Sequence, residues 1–510
     1  MFSCVLSAAL AGVVAEKVRV ETDISNGFPC LSMVGYPSVQ VKEALERVRT
    51  ALRNEGMTIP PKRVTVNLAP ANLRKEGSGF DLPVAAALLL AMGRIPPDSL
   101  EHTLVVGELG LDGSVRKVNG VLPMVLMAAA EGCHCCIVPA DNRSEASLTE
   151  DMTIIGVHNL KEVMDFCSYG LIPEEKEENQ QRDHRNYIER IEDFSDICGQ
   201  NAAKRAAVIA AAGFHNLMLV GAPGSGKTMI AKRIPGILPP LTEEEWLEVL
   251  KIESVAGILT EDRVGSRKRP FRAPHYTITS PALVGGGRIG KPGEVTLAHR
   301  GVLFLDEIAE MPRKTVELLR QPLQDKSVII SRLNGEYEFP ADFLFVAAMN
   351  SCPCGGYPDM NRCSCTQAQI DRYRRKISQP ILERIDLCVE IAPVSYEELR
   401  SREGTMGSKE MRVQVEIARE IQEERFKKME ISFNSQMKME DLDRYCAMEK
   451  SGEKLLEKAF RTMHLSVRSM HNIVKVARTL ADLDGGGRIC EKHVTEAIFF
   501  RGIDKDAWKA

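Results

Sequence analysis

Residues 217–228 read LMLVGAPGSGKT, and this stretch decides the fold. Its first four residues are apolar and predict a buried strand; a glycine-rich turn and the helical run MIAKRI follow. In such a setting backbone N–H groups curl round phosphate groups, and the N-terminus of the helix favours their negative charge. A plain glycine-rich turn is the alternative. The predicted nucleotide-binding residues are Gly221, Ala222, Pro223, Gly224, Ser225, Gly226, Lys227 and Thr228.

Two residues of this loop and two further along carry the chemistry of hydrolysis. Lys227 would reach the β- and γ-phosphates, and Thr228 would ligate Mg²⁺. The stretch GVLFLDE, residues 301–307, places Asp306 at the end of a second buried strand, where α/β sheets bind their ligands. Asp306 would hold Mg²⁺ through water, and Glu307 would polarise the attacking water. An exposed acidic pair is the alternative, which the presence of Lys227 disfavours.

A third apolar run, FLFVAAM at residues 343–349, delivers Asn350 to the same edge of the sheet. This uncharged polar side chain could orient the water. A turn-initiating asparagine is the alternative. Asn350 therefore joins Lys227, Asp306 and Glu307 as a candidate catalytic residue.

Length and composition are those of an ordinary globular protein with several domains. The chain has 510 residues, a net charge of −4, 44% hydrophobic residues and 27% charged residues. About three domains are expected, and no overall basic field marks a nucleic-acid binder. No apolar segment reaches the ~18 residues of a membrane helix, and the apolar start is predicted to be two strands rather than a secretory signal. Fourteen cysteines, ten of them scattered, indicate a reducing cytoplasm.

Three stretches, in this order, resemble those of AAA+ ATPases: the phosphate loop at residues 221–228, the acidic strand end at 301–307 and the strand that precedes Asn350. More particularly, the chain is similar to the Mg-chelatase-like ATPases of the YifB/ComM family. The similarity rests on DICGQNAAKRAAVIAAAGFHNLMLVGAPGSGKT, FRAPHYTITSPALVGGGRIGKPGEVTLAHRGVLFLDE and ILERIDLCVE. It implies a homohexameric ring that binds ATP between subunits. It also implies that Arg384 is an arginine finger acting on a neighbour's γ-phosphate and that Arg468 is a second sensor arginine. Without it, both would be assigned to a helix surface.

The resemblance also divides the chain into domains. Residues 1–172 resemble the ribosomal-S5 and Lon-protease fold, an α+β domain, and residues 173–189 form a polar linker. Residues 190–395 are the expected α/β AAA+ core with its P-loop, and residues 396–510 an α-helical lid. Within the core, VGGGRIGKPG at residues 284–293 resembles the family's insertion in helix 2.

The Lon-like domain is expected to have no peptidase activity. A Lon protease needs a serine nucleophile and a lysine base. Alignment with that family places Gly79 at the serine and Leu122 at the lysine. Ser78 and Lys117 lie out of register, so a shifted pair is the weaker alternative. A collar that assembles the ring or guides DNA is the favoured role.

Four clustered cysteines predict a structural metal site. The stretch MNSCPCGGYPDMNRCSC, residues 349–365, contains two Cys-x-Cys pairs. Four thiols in a reducing compartment favour tetrahedral Zn²⁺, with redox-labile free thiols as the alternative. No catalytic role is expected. The predicted ligands are Cys352, Cys354, Cys363 and Cys365; by contrast, CHCCIVPA at residues 133–140 is typical of buried thiols on a strand.

Two segments are candidates for contact with DNA. VIISRLNGEYEF, residues 328–339, predicts a hairpin turning at Asn334 and Gly335, and the resemblance implies that it points into the pore of the ring. SRKRPFRAPH, residues 266–275, interleaves basic residues with an aromatic one, as nucleic-acid surfaces do. A plain surface hairpin and a merely solvated charge run are the alternatives. The candidate contacts are Arg332, Asn334, Arg267, Lys268 and Arg269.

The favoured function is an ATP-driven motor that encircles single-stranded or branched DNA. It would promote branch migration of recombination intermediates, such as those of natural transformation. The first alternative is a chelatase-type motor that remodels a protein partner. The Lon-like domain disfavours it, since the chelatase motor is not built with one. The second alternative, an ATP-dependent protease, lacks the catalytic pair. No membrane partner is expected.

Overall fold

The computed structural model folds the chain into two α/β units and a helical region, which confirms the predicted fold class. Within the described residues, no helix has the length and apolar character needed to span a membrane. The structure describes residues 1–149, 152–173, 192–286, 291–332, 335–392, 406–429 and 431–506, with only the backbone at 332, 335 and 502–506. The predicted linker at 173–189 therefore falls almost wholly outside the described residues.

The N-terminal unit is built on a seven-stranded sheet in the order β3-β4-β2-β1-β5-β8-β9. Its strands are β1 Phe2–Ala11, β2 Val14–Ser25, β3 Cys30–Val34, β4 Arg63–Ala69, β5 Thr103–Val105, β6 Glu108–Leu109, β7 Val115–Arg116, β8 Cys135–Pro139 and β9 Thr153–Val157. Its helices are α1 Val39–Asn54, α2 Asp81–Ala91, α3 Val121–Ala130, α4 Arg143–Ala146 and α5 Leu160–Tyr169. The apolar start forms the two predicted strands, β1 and β2, and these pair antiparallel. The thiols of Cys133 and Cys136 are buried, and burial raises the pKa of both.

The second unit is a parallel sheet in the order β11-β14-β17-β10-β18. The strands of this unit are β10 Leu217–Gly221, β11 Phe271–Arg272, β12 Gly285–Gly286, β13 Lys291–Pro292, β14 Val302–Leu305, β15 Ser327–Arg332, β16 Gly335–Pro340, β17 Leu344–Met349 and β18 Leu387–Ile391. Its helices are α6 Asn201–Gly213, α7 Lys227–Ile237, α8 Glu243–Ala256, α9 Glu261–Val264, α10 Ser280–Val284, α11 Glu294–Leu297, α12 Arg313–Glu317, α13 Arg320–Asp325, α14 Gln367–Arg374 and α15 Gln379–Leu382. Strands β10, β14 and β17 are fully buried and apolar, as central parallel strands must be.

The C-terminal region is helical and packs on the parallel sheet. It comprises α16 Ser408–Phe426, α17 Met439–Tyr445, α18 Lys450–Thr462, α19 Val467–Leu483 and α20 Glu491–Asp506. A fully buried carboxylate, that of Asp482, accepts hydrogen bonds from Arg425 at 2.7 Å and from Asn434 at 2.8 Å. Arg478 lies 2.9 Å from the same carboxylate. These partners neutralise the buried charge and hold the helices together.

Two small hairpins extend from the parallel-sheet unit and meet each other. Strands β15 and β16 pair antiparallel, which confirms the predicted hairpin, although Asn334 at its turn lies outside the described residues. The predicted glycine-rich insertion is a second pair, β12 with β13, between α10 and α11. A Cβ on Gly285 would lie 2.9 Å from Ile330 of β15, so the glycine permits the close approach of the two hairpins.

The N-terminal unit contacts the second unit through α3 and α8. Leu122 is buried together with Leu250 and Leu259. Ser254 on α8 donates a hydrogen bond to the buried Glu145 carboxylate at 2.6 Å and accepts one from the Leu122 backbone N–H at 3.4 Å. The two units are therefore joined by an apolar contact and a buried hydrogen-bond bridge.

We expect Ser254→Ala to destabilise the chain. The substitution removes a donor from the buried Glu145, at a cost of about 1–3 kcal/mol. The melting temperature should fall relative to a matched Ser147→Ala variant, whose hydroxyl is exposed and donates to the Arg143 carbonyl within its own turn. Equal melting temperatures for the two variants would contradict the importance of this bridge.

Candidate active site

The phosphate loop joins the buried strand β10 to helix α7 at the carboxyl edge of the parallel sheet. Helix α7 begins at Lys227, directly after Gly226, whose φ of 94° is readily adopted only by glycine. The first N–H groups of a helix have no partner within the helix. The loop thus offers backbone donors and a helix N-terminus to an anionic ligand.

The Lys227 side chain is held inside this loop. Its ammonium donates to the carbonyl oxygens of Gly221 and Ala222, both at 2.8 Å, and to Oδ1 of Asn350 at 3.2 Å. Burial lowers the pKa of Lys227, and the nearby carboxylates of Asp306 and Glu307 oppose that shift. The ammonium is thus positioned by neutral oxygens at the mouth of the loop. Asn350 and Lys227 therefore lie in contact at the carboxyl edge of the sheet.

Asp306 and Thr228 form the second contact of the site. The Thr228 hydroxyl donates to Oδ2 of Asp306 at 2.7 Å, and the Glu307 backbone N–H donates to Oδ1 at 2.9 Å. Glu307 has a φ of 49°, in the left-handed region, and its side chain is exposed. A hydroxyl and a carboxylate this close are the hard oxygen donors that Mg²⁺ prefers, so the residues fit the ion.

Arg384 and Arg468 line a different cleft, of about 1030 Å³, between the parallel sheet, the C-terminal helices and the β1–β2 turn. Arg384 donates to the Pro380 carbonyl at 2.7 Å and to Gln324 Oε1 at 2.5 Å. Burial and the neighbouring charge of Arg468 lower the pKa of Arg384. Among the described residues that line this cleft, none belongs to the phosphate loop. Gln324, which orients the guanidinium, was not predictable from any sequence pattern.

The four clustered cysteines lie close enough together to hold one metal ion. Their sulfur atoms all lie within 4.8 Å of one another, and three of the separations are 3.4, 3.7 and 3.7 Å. Sulfur ligands about 2.3 Å from a tetrahedral zinc lie roughly 3.8 Å apart. Hydrogen bonds from the Gly356 backbone and from neighbouring cysteines lower the pKa of Cys354 to about 6, whereas the side-chain hydrogen bonds with Cys354 and Cys352 raise the pKa of Cys363 and Cys365. The residues therefore fit a zinc ion.

Comparisons with known proteins agree with this architecture. Residues 193–399 match the family model described as magnesium chelatase, subunit ChlI. Residues 405–501 match its C-terminal model, and residues 20–142 match a model described as subunit ChlI of Mg-chelatase. The chain is 42% identical to competence protein ComM of Haemophilus influenzae over 98% of this chain and 97% of that protein.

The chain belongs to the YifB/ComM family of Mg-chelatase-like ATPases. The uncharacterized protein YifB of Escherichia coli is 39% identical over 99% of this chain and 97% of that protein. Lon protease 2 of Bacillus subtilis is 30% identical over 24% of this chain and 22% of that protein. The family resemblance predicted from the sequence is thereby confirmed. The chain is an AAA+ ATPase of this family.

The YifB/ComM chain does not present the whole predicted basic segment to solvent. The Arg269 side chain is only 4% exposed and donates to the Pro239 and Arg300 carbonyls and to Glu245 at 2.6–2.9 Å. It is a structural residue, so its assignment as a DNA contact is corrected. Arg267 is exposed and lies over the Trp246 ring at 5.4 Å, while Lys268 is also exposed.

The hairpin candidates are only partly described. The backbone of Arg332 pairs with Gly335 at the end of β15, whereas its side chain and the whole of Asn334 lie outside the described residues. A Cβ on Gly12 of the β1–β2 turn would lie 3.0 Å from the Glu338 carbonyl. Burial and the nearby Glu76 carboxylate raise the pKa of Tyr337. The Lon-like unit therefore lies against the base of this hairpin.

The positions aligned with the Lon catalytic pair have other roles in this YifB/ComM chain. The Ser78 hydroxyl donates a hydrogen bond to the Glu108 carboxylate. Leu122, at the lysine position, is buried against α8. Lys117 is exposed. The absence of peptidase activity stays a prediction, and this arrangement supports it because the Ser78 hydroxyl bonds to a carboxylate rather than to a lysine.

Proposed function

We propose that this YifB/ComM protein is an ATP-hydrolysing DNA motor that works as a homohexameric ring and moves branched recombination intermediates. The ring is inferred from one observation: Arg384 and Arg468 line a cleft that is separate from the phosphate loop of their own chain. The DNA assignment is supported by the similarity to a protein named for competence. Fourteen free cysteines support a reducing cytoplasm as its location.

Hydrolysis of ATP follows from the side chains at the sheet edge. The phosphate-loop N–H groups and Lys227 bind the phosphates, while Thr228 and Asp306 would hold Mg²⁺, which neutralises charge on the phosphate oxygens when bound. Glu307 accepts a hydrogen bond from the attacking water and takes its proton. Asn350, fixed by the Lys227 ammonium, orients that water.

The two arginines complete the site of a neighbouring subunit. Arg384 neutralises charge on the neighbour's γ-phosphate in the transition state, which couples hydrolysis to assembly. Arg468 lies beside it on α19 and acts on the same phosphates. In a ring with one nucleotide between each pair of neighbouring subunits, both arginines of one subunit would reach the nucleotide bound by the next.

The β15–β16 hairpin is the proposed DNA contact within the ring, with Arg332 at its tip end and Arg267 and Lys268 as secondary contacts. We expect Arg332→Ala, or removal of residues 333–334, to abolish stimulation of ATP hydrolysis by DNA while leaving hydrolysis without DNA intact. Arginine supplies charge to the phosphate backbone, so its loss weakens binding of every sequence. Ser331→Ala, next to it on the strand, is the matched control. Unchanged stimulation in the hairpin variants would remove the hairpin from the mechanism.

A motor that remodels a protein partner is the second candidate. The family models that match residues 193–399, 20–142 and 405–501 are each described as parts of a magnesium-chelatase subunit. One of them covers residues 20–142, so the N-terminal unit does not by itself separate this chain from chelatase motors. Hydrolysis that ignores DNA but responds to a partner protein would favour this candidate.

Zinc is the proposed metal of the four cysteines. We expect one zinc ion per chain, measured by elemental analysis of protein purified without added metal. Cys363→Ser should lower that ratio because a neutral hydroxyl is a poor substitute for a thiolate ligand. Cys198→Ser, a half-buried thiol outside the cluster, is the matched control. A full zinc content in the Cys363 variant would contradict the assignment.

A further inference from the structure

The loop that carries the four cysteines rests directly on the phosphate loop. Gly355 is buried, and a Cβ added there would lie 2.4 Å from Cδ and 2.5 Å from Cγ of Pro223. Gly355 also has a φ of 77°, which side chains adopt only at a cost. Both the conformation and the close approach therefore require glycine. The backbone of the cysteine loop touches the middle of the nucleotide-binding loop.

The same loop is continuous with the sensor residue. Asn350, whose amide oxygen accepts from Lys227 at 3.2 Å, is followed by the buried residues Ser351 and Cys352. The sulfur of Cys352 contacts those of Cys354 and Cys363 at 3.4 and 3.7 Å. A metal that fixes these sulfur atoms would therefore fix the backbone from which Asn350 projects.

A third contact ties the loop to the body of the core. The Tyr357 backbone N–H donates to the Cys352 sulfur at 3.4 Å. The guanidinium of Arg374 on α14 lies over the Tyr357 ring, 5.3 Å from its centre, which adds a cation–π attraction. The cysteine loop therefore contacts α14 through Tyr357 and contacts the phosphate loop at Pro223.

We propose that the cysteine loop positions the nucleotide site, with Gly355 as the residue that transmits the position of the loop to Pro223. The inference rests on the proposed zinc site and ATPase activity but is independent of DNA. With metal bound, the cysteine loop keeps Pro223 in its place in the phosphate loop and keeps Asn350 in contact with Lys227. Loss of the metal frees both supports together, so nucleotide affinity depends on occupancy of the four cysteines.

The test is a double-substitution cycle read out by the affinity for a fluorescent ATP analogue without DNA. Gly355→Ala should keep one zinc per chain and bind the ATP analogue more weakly. Its turnover number should also fall by about tenfold or more, because misplacing a site by about 1 Å costs up to 10²-fold in rate. Pro223→Ala removes the Cδ and Cγ atoms that the new methyl group meets. It should therefore restore much of the lost affinity in the double variant, which gives a non-additive cycle.

Two controls keep the result specific. Gly132→Ala introduces the same kind of backbone strain, at a φ of 81°, with no atom within 4 Å of the new Cβ, and should bind the analogue like the unsubstituted protein. Removing zinc from the unsubstituted protein with a chelator should also weaken binding, and added zinc should restore it. Additive effects in the cycle, or unchanged affinity after zinc removal, would overturn the proposal. If Gly355→Ala fails to fold, the chelation result alone decides.

Discussion

Replacing Glu307 with glutamine is expected to abolish ATP hydrolysis while leaving ATP binding intact. Glutamine keeps the size and polarity of the side chain but cannot take a proton from the attacking water. General-base catalysis contributes about 10²- to 10⁴-fold, so the turnover number should fall by at least about 100-fold. The Lys227 contacts that bind the phosphates are untouched, so the affinity for a fluorescent ATP analogue should not change.

Glu310→Gln is the matched control for this substitution. Glu310 lies on the same short segment, is exposed, and pairs with Lys376 at 3.0 Å rather than with a residue of the phosphate loop. It should hydrolyse ATP at the unsubstituted rate. Equal activity of the two variants would show that another group activates the water and would remove Glu307 from its assigned role.

The substitution Arg384→Ala is expected to inactivate the enzyme and to be rescued by a second inactive subunit. An arginine finger contributes about 10³- to 10⁵-fold to turnover, so the variant alone should hydrolyse almost no ATP. Lys227→Ala should also be inactive because it loses the phosphate-binding ammonium. If each site uses Lys227 of one chain and Arg384 of the next, mixed rings contain interfaces in which both residues are intact.

Co-expression of the two variants with different tags, followed by purification of mixed assemblies, measures this directly. Recovered hydrolysis above the sum of the separate variants is the expected result. Arg461→Ala, an exposed arginine on α18 paired with Glu457, is the matched control and should need no rescue. Mixed assemblies as inactive as their parts would place Arg384 outside a shared site.

Local sequence patterns sufficed for the parts of the site that lie on consecutive elements. The phosphate loop needs only a buried strand, a glycine turn and a helix start, all within a few residues of Lys227. Asp306 and Asn350 could be placed because each follows a wholly apolar run, and parallel strands bring their carboxyl ends to one edge. The hairpin of residues 328–339 was predictable for the same reason: its turn chemistry is local.

Contacts between distant segments were not predictable in this way. Arg267 and Arg269 look alike in the sequence, yet Arg269 is buried because Glu245, at the start of α8, and two carbonyl groups surround its guanidinium. The spacing of apolar residues does not predict whether a side chain in a short connection, such as that of Arg269, is buried. Likewise, the approach of Gly355 to Pro223 depends on how two loops pack, which no spacing of residues in either loop expresses.

The most direct test of the DNA motor is the rate of ATP hydrolysis by the purified full chain with and without single-stranded and forked DNA. The Glu307→Gln variant, assayed in parallel, measures hydrolysis by any contaminant. We predict that DNA strongly stimulates hydrolysis and that the stimulation is absent in the variant. Robust Glu307-dependent hydrolysis that is the same with every DNA would contradict a DNA motor and point to a protein partner instead.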